Sequence, residues 1–286
     1  MSKSQIGILA IIALIAISAI SYFVMNLKDD PDEEVAPVDV GSMQEEKIIR
    51  FPIPESTPPA SEPEMPASVV KPDVIVPAAP PVFTVTAKIP LLADSDETLL
   101  SVMSQLIDLD QLAKLFQVKS IIERIVITVD NMTLRTLPPK HALVQPPKGK
   151  FKVIEKEDYQ YILNEKNFKR YTPYVDFIEK ANIKDLVTVY VHFYPLFQEV
   201  YESLGYPDSY FNDRLIEVIN HLQETPEVVG PIELQRPHVF YIYADPALEG
   251  LSAGQRTLLR MGADNTGRLK QVLLNLRDEI LHRIQR

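Results

Sequence analysis

A run of 22 uncharged residues near the N-terminus constrains this chain more than any other feature. Ile6 to Leu27 is rich in Ile, Leu and Ala, and at about 1.5 Å per residue a helix of that length crosses a bilayer core of roughly 30 Å. The alternative is a cleaved signal peptide, whose shorter apolar region would end at a small-x-small site such as Ala16-Ile17-Ser18. Because the apolar run continues past Ser18, the sequence favours an uncleaved transmembrane anchor over residues 1–27.

The charges that flank this run predict the orientation of the chain. Lys3 and the free amine precede it, whereas Lys28 and an acidic stretch follow it. The positive-inside rule counts Lys and Arg, so we expect a short N-terminus inside and the rest of the chain outside the cytoplasm. In a bacterium, this describes a single-pass protein of the inner membrane with a periplasmic C-terminal domain.

The composition changes after the apolar run. Residues 28–83 hold 12 of the 24 prolines, and residues 28–84 hold 12 Asp/Glu against 4 Lys/Arg. Such a segment buries too little apolar surface to fold, and in polyproline II at about 3.1 Å per residue it would span on the order of 170 Å. We interpret residues 28–84 as a disordered acidic linker, which is either a spacer or, through Pro77 to Pro81, a docking site.

Residues 85–286 carry 24 Lys/Arg against 27 Asp/Glu, and this near-neutrality predicts no nucleic-acid partner. The chain has no Cys, and no two of its five His lie within four residues of each other. Local metal-ligand motifs are therefore missing, and neither a metal nor a cofactor is predicted. The serine elbow, the phosphate loop, the dinucleotide fingerprint and the H-E-x-x-H motif are missing too. The sequence consequently favours a protein that is not an enzyme, and it indicates no catalytic residue.

Helix-start signals and apolar periodicity predict an α+β soluble domain that is predominantly helical. Capping boxes are predicted at Asp94 with Glu97, Ser120 with Glu123, and Ser252 with Gln255. Further helix starts are predicted at Asp108, at Thr172 with Pro173 in the first position, at Ser209, at Asp245 and at Asp264, and a longer helix over Leu186 to Leu204 is broken or kinked at Pro195. Two predicted hairpins, residues 151–163 and 232–243, would share one small antiparallel sheet.

Aromatic residues are concentrated in the middle of this domain, where 18 of the 23 Phe and Tyr lie between residues 151 and 243. Tyr190, Tyr194, Phe197 and Tyr201 recur at helical spacing. A stripe of that period normally packs inward, whereas exposed tyrosines would form a platform for sugar rings or for an apolar segment of a partner. The periodicity favours the core interpretation.

A polar edge is predicted on the helix that follows. Asp213, Glu217 and His221 are spaced four residues apart, with Asn212 and Arg214 beside them, so their side chains line one edge of a helix. Paired carboxylates supply acid and base in glycoside cleavage when one of them is buried. Because the apolar face of the helix lies elsewhere, this edge is predicted to be a flank or a surface.

Several ordered strings resemble a known family. They are Tyr171-Thr172-Pro173-Tyr174, Tyr194-Pro195-Leu196-Phe197-Gln198, Leu204-Gly205-Tyr206-Pro207, Tyr210-Phe211-Asn212-Asp213-Arg214, Ala244-Asp245-Pro246-Ala247-Leu248-Glu249, Ser252-Ala253-Gly254-Gln255 and Leu259-Arg260-Met261-Gly262. Over about residues 94–283 they resemble an uncharacterised proteobacterial domain-of-unknown-function family that pairs a membrane anchor with a proline-rich linker. The resemblance implies class and location, and it implies no activity.

The leading hypothesis is a non-enzymatic, membrane-anchored envelope protein whose domain binds a protein partner or the cell-wall polymer. Its candidate binding residues are Tyr171, Tyr174, Asn212, Asp213, Arg214, Glu217 and Asp245. The alternative is a peptidoglycan hydrolase or transglycosylase that uses Glu217 or Asp213.

Overall fold

The computed structural model describes residues 83–157, 160–180 and 182–284. The predicted anchor over residues 1–27 and almost all of the predicted linker lie outside these ranges. Within the described ranges, no helix combines the length and the apolar character that a membrane crossing requires.

The described residues form nine α-helices and four short strands. The helices are α1 (Ser95–Met103), α2 (Leu109–Leu115), α3 (Ile121–Asn131), α4 (Phe168–Glu179), α5 (Ile183–Ser203), α6 (Phe211–Gln223), α7 (Pro246–Glu249), α8 (Ala253–Met261) and α9 (Ala263–Ile284). The strands are β1 (Val153–Glu155), β2 (Tyr161–Leu163), β3 (Glu233–Gln235) and β4 (Ile242–Tyr243). The prediction of a predominantly helical α+β domain is confirmed.

The main apolar core is built around α5 and α9. Helix α5 packs against α3 and α9, and α9 also contacts α4, α6 and α8. The aromatic stripe of Tyr190, Tyr194, Phe197 and Tyr201 is buried in this core. The core interpretation of the stripe is therefore confirmed.

The four strands form one antiparallel sheet in the order β1-β2-β3-β4. Tyr161 pairs with Leu234, and Leu234 pairs with Tyr243, so these three side chains lie on one face of the sheet. That face is buried together with Leu259 of α8 in a second, smaller apolar cluster. The prediction that both hairpins share one sheet is confirmed.

Two of the three predicted capping boxes are wrong. Asp94 ends a short 3-10 turn and makes no side-chain cap, and Ser120 has a φ of 51° and makes none either. The N-terminus of α3 is capped from another helix, because the carboxylate of Asp96 accepts hydrogen bonds from Ser120 N–H at 2.6 Å and Ile121 N–H at 2.8 Å. The third box, Ser252 with Gln255, is confirmed.

Other predicted helix starts are confirmed or displaced. Asp108 and Asp245 cap α2 and α7 as predicted. The start at Thr172 is wrong, because α4 already begins at Phe168 and Pro173 lies inside it. Helix α5 continues through Pro195 without a break.

Candidate functional site

Tyr171 and Tyr174, two of the predicted binding residues, lie on α4 with their rings buried. The Tyr174 hydroxyl donates to the carbonyl oxygen of Gln145 at 3.0 Å. Burial raises the pKa of Tyr174 to about 12 and also raises the pKa of Tyr171. Both side chains therefore belong to the packed interior.

Asn212 is also buried, and it helps to position α6 against α5. The Tyr190 hydroxyl donates to Asn212 Oδ1 at 2.6 Å. Beside it, Gln198 Oε1 accepts a hydrogen bond from Phe211 N–H at 3.0 Å. The first turn of α6 is thus capped by a glutamine from α5, since Tyr210 at the N-cap position makes no side-chain cap.

Arg214 is the centre of a polar cluster between α3 and α6. Its Nε lies 3.1 Å from Asp130 Oδ1, and its Nη2 donates to Thr133 Oγ1 at 2.8 Å and to the carbonyl oxygen of Asp130. Its Nη1 lies 2.8 Å from Glu217 Oε1. Burial lowers the pKa of Arg214, but the hydrogen bond and charge of Glu217 and the charge of Asp130 outweigh it, so the net pKa is raised.

The remaining carboxylates do not form an enclosed acid-base pair. The Glu217 side chain is 62% exposed and paired with Arg214, whereas glycosidase general acids are held in apolar surroundings. Asp213 is half-buried on the same helix. Asp245 is exposed, and its Oδ1 accepts a hydrogen bond from Ala247 N–H at 2.8 Å, which is the role of an N-cap. The arrangement is that of structural polar contacts.

His221 and Ser252 form a contact that resembles half of a nucleophile-base pair, with Nε2 and Oγ 2.8 Å apart. Ser252 Oγ also accepts a hydrogen bond from Gln255 N–H and is buried as the cap of α8. Gln255 Nε2 donates to the carbonyl oxygen of His221 at 3.2 Å. These bonds join α6 to α8, so the contact has a structural role at this junction.

A groove of about 870 Å³ runs between the sheet and the N-terminal part of α9. One wall is the loop of residues 226–232, and the sheet contributes Ile154 and Ile162. Val229 in that loop is 99% exposed, and Ile154 on the edge strand β1 is 50% exposed. Two large apolar side chains thus face solvent along a concave surface.

The wall of the groove at the junction of α8 and α9 depends on a glycine. Gly262 has a φ of 82°, and a Cβ there would lie 2.5 Å from the ring of Phe168. The chain therefore turns directly over the Phe168 ring, and both residues line the groove.

Lys270 contributes a cation to the groove. Its Nζ donates to the carbonyl oxygens of Gln223 at 3.0 Å and Thr225 at 2.8 Å. Burial lowers the pKa of Lys270, and the nearby charge of Glu227 partly offsets this. Lys270 therefore fixes the loop that forms the groove wall against α9.

The groove was not predicted from the sequence, and one signal in the sequence would have pointed to it. Val228 and Val229 lie between Pro226 and the pair Gly230-Pro231. The flanking Pro and Gly residues favour a turn over a regular strand, so two β-branched apolar residues are placed in a loop. Within the described ranges, no group of three or more His, Asp or Glu side chains is placed to hold a metal ion.

Comparison with known proteins gives one match. A family model described as "Protein of unknown function (DUF3014)" matches residues 121–277. The match begins at the first residue of α3 and ends within α9, so it includes the Arg214 cluster and the groove. No curated protein and no solved structure matches the chain.

Proposed function

Since this chain belongs to the DUF3014 family, whose description assigns no activity, we propose that its domain is a non-enzymatic module that binds an apolar segment of a protein partner. The observation that carries this proposal is the groove with Val229 and Ile154 exposed along it. The polar residues predicted to bind a partner are engaged in internal contacts or in a surface ion pair. The groove is therefore the better binding site.

The chemistry of the groove favours a protein over the cell-wall polymer. Apolar side chains from the sheet, the loop of residues 226–232, α4 and α8 make up most of its lining, whereas a polysaccharide presents mainly hydroxyl groups. Burying an exposed Val or Ile side chain contributes about 1.5–3 kcal/mol. In addition, β1 is the edge strand of the sheet, where an extended partner segment would find backbone groups to pair with.

We also propose that the domain is tethered to the inner membrane of a proteobacterium and faces the periplasm. The uncharged run at residues 6–27 and the proline-rich acidic residues 28–84 support this arrangement, with the domain at residues 85–286. Protease treatment of a C-terminally tagged chain tests it. Cleavage in spheroplasts but not in intact cells is expected, whereas resistance until lysis would place the domain in the cytoplasm.

Site-specific photo-cross-linking in living cells tests the groove. A photoreactive amino acid at Val229 is expected to give a discrete adduct with one protein. The same amino acid at Leu91, which is 76% exposed and outside the groove, is the matched control and is expected to give none.

A substitution then links the adduct to the groove. Val229→Asp places a charge on a fully exposed position and leaves the fold unchanged, so it is expected to suppress the adduct formed by a probe at Ile154. The proposal is overturned if neither groove position gives an adduct, or if Leu91 gives the same one.

A further inference from the structure

Two arginines are buried on the same face of α8. Arg256 and Arg260 lie four residues apart, and each is only 4% exposed. Residues at this spacing are neighbours on a helix surface, so the two positive charges lie close together. Burying a charge is costly unless an opposite charge and hydrogen bonds replace the water that it loses.

Arg256 has a partner for two of its three nitrogens. Its Nη1 donates to Glu249 Oε1 at 2.5 Å, and its Nη2 donates to the carbonyl oxygen of Arg135 at 2.5 Å. Its Nε is buried and has no hydrogen-bond partner within the described residues. Glu249 is occupied on both oxygens, since Oε2 accepts a hydrogen bond from Tyr243 N–H at 2.9 Å.

Arg260 lies over the ring of Tyr243, with its guanidinium carbon 5.4 Å from the ring centroid. Among the described residues, no carboxylate forms an ion pair with Arg260. The ring face attracts a cation, but it supplies no counter-charge and accepts none of the in-plane N–H bonds of the guanidinium.

The tyrosines around the two arginines do not supply the missing negative charge. Tyr171 and Tyr243 are buried, and burial raises the pKa of both hydroxyls, that of Tyr243 to about 12. Both are therefore neutral at physiological pH. A third guanidinium, that of Arg170, lies 5.9 Å from the Tyr171 ring centroid. Its partners are backbone carbonyls and Asn167 Oδ1.

A neighbouring segment of the chain adds further positive charge to that of the three arginines. Residues 133–152 contain five Lys/Arg and no Asp/Glu. The bond from Arg256 Nη2 to the Arg135 carbonyl oxygen holds this segment beside α8. Of the three guanidiniums, only that of Arg256 has a carboxylate partner among the described residues, and this partner is Glu249.

We propose that Arg260, beside the unpartnered Nε of Arg256, binds one small oxyanion, a phosphate or carboxylate group. The planar guanidinium fork matches the oxygen geometry of both groups. The slight exposure of Arg260 limits the ligand to a single such group. This site is separate from the groove and does not depend on the proposed function.

Thermal unfolding of the purified full-length chain tests the site. Sodium phosphate and sodium acetate are compared with sodium chloride at equal ionic strength. At about 100 times the Kd of the bound anion, the Tm is expected to rise by about 5–10 °C. A higher Tm with phosphate alone identifies a phosphate ligand. A higher Tm with acetate as well shows that the site also accepts carboxylates. An unchanged Tm with both anions overturns the proposal.

Variants assign the response to Arg260. Arg260→Gln is expected to abolish the anion-dependent rise and to keep its Tm in chloride within about 3 °C of that of the wild type, because no internal ion pair is lost. Arg277→Gln makes the same chemical change on the surface of α9 and is expected to keep the full rise. An unchanged anion response in Arg260→Gln contradicts the proposal.

A second variant covers the case in which Arg260→Gln does not fold. Arg260→Lys keeps the charge but loses the planar fork, so its Kd for the anion is expected to increase about tenfold. A wild-type Kd in Arg260→Lys would overturn the claim that the Arg260 guanidinium binds the anion.

Discussion

Among single residues, Arg214 joins two helices that no local sequence signal connects. It reaches from α6 to Asp130 and Thr133 at the end of α3, and its side chain is mostly buried. Arg214→Ala is expected to lower the free energy of unfolding by about 2–4 kcal/mol, because Asp130 loses its partner in a partly buried setting. Urea unfolding measures this change.

Glu217 provides the control for Arg214. It contacts the same guanidinium but faces solvent, so Glu217→Ala is expected to cost less than about 1 kcal/mol. A loss as large as that of Arg214→Ala would show that Glu217 has a role beyond a surface ion pair.

Asp96 is the second residue whose importance comes from a distant part of the chain. It accepts two backbone hydrogen bonds at the start of α3. Asp96→Ala is therefore expected to lower the free energy of unfolding by about 1–2 kcal/mol, the usual cost of a lost helix cap.

The neighbouring Glu97 provides the control for Asp96, because the sequence predicts that Glu97 forms a capping box with Asp94. Glu97 is exposed on α1, and Glu97→Ala is expected to change the free energy of unfolding by less than about 0.5 kcal/mol. If Glu97→Ala were the more damaging of the two, the Asp96 cap would be refuted.

At the scale of helices and strands, the sequence predicts a helix start correctly where the capping residue is close in sequence to the helix that it caps. Asp108, Asp245 and Ser252 cap backbone N–H groups two or three residues away, and their patterns are visible in the sequence. The caps of α3 and α6 come from Asp96 and Gln198, on other helices. Local patterns do not contain such contacts, because the fold creates them.

The junction of α8 and α9 allows two glycines to be compared. At Gly262 a Cβ would clash with Phe168, and the positive φ adds strain, so Gly262→Ala is expected to cost at least about 2 kcal/mol of unfolding free energy. At Gly267, inside α9, a Cβ meets open space, and Gly267→Ala is expected to add about 0.5–1 kcal/mol.

Chemical denaturation of both variants in parallel measures the difference. A stabilised Gly262→Ala protein would contradict the close approach of the chain to the Phe168 ring. This wall of the groove would then have a different shape, with room for a side chain at position 262.

For the whole molecule, the candidate site was less predictable than the fold. Apolar periodicity and hairpin spacing predicted the helix-dominated class and the shared sheet, since both follow from local rules. Tyr171, Tyr174 and Asn212 are candidate binding residues on the sequence, yet all three are buried. The groove combines residues from Ile154 to Lys270, and only the folded chain brings them together.

The burial of six tyrosines gives the domain a dependence on alkaline pH. They are Tyr171, Tyr174, Tyr190, Tyr194, Tyr201 and Tyr243. Burial raises the pKa of each, to about 12 for Tyr174, Tyr201 and Tyr243. In the unfolded chain these groups titrate near pH 10. Above that pH the folded state holds more protons, so stability falls as the pH rises from about 10 towards 12.

Absorbance at 295 nm and far-UV circular dichroism, followed together from pH 9 to pH 12.5, test this dependence. The buried tyrosines are expected to ionise only as helicity is lost, whereas in urea all 12 tyrosines of the chain titrate near pH 10. Tyr201→Phe keeps the ring and removes one ionising group, so the decline in stability should be shallower by about 1.4 kcal/mol per pH unit between pH 10 and 12. Complete ionisation near pH 10 with unchanged helicity would mean that water reaches these hydroxyls in the folded state.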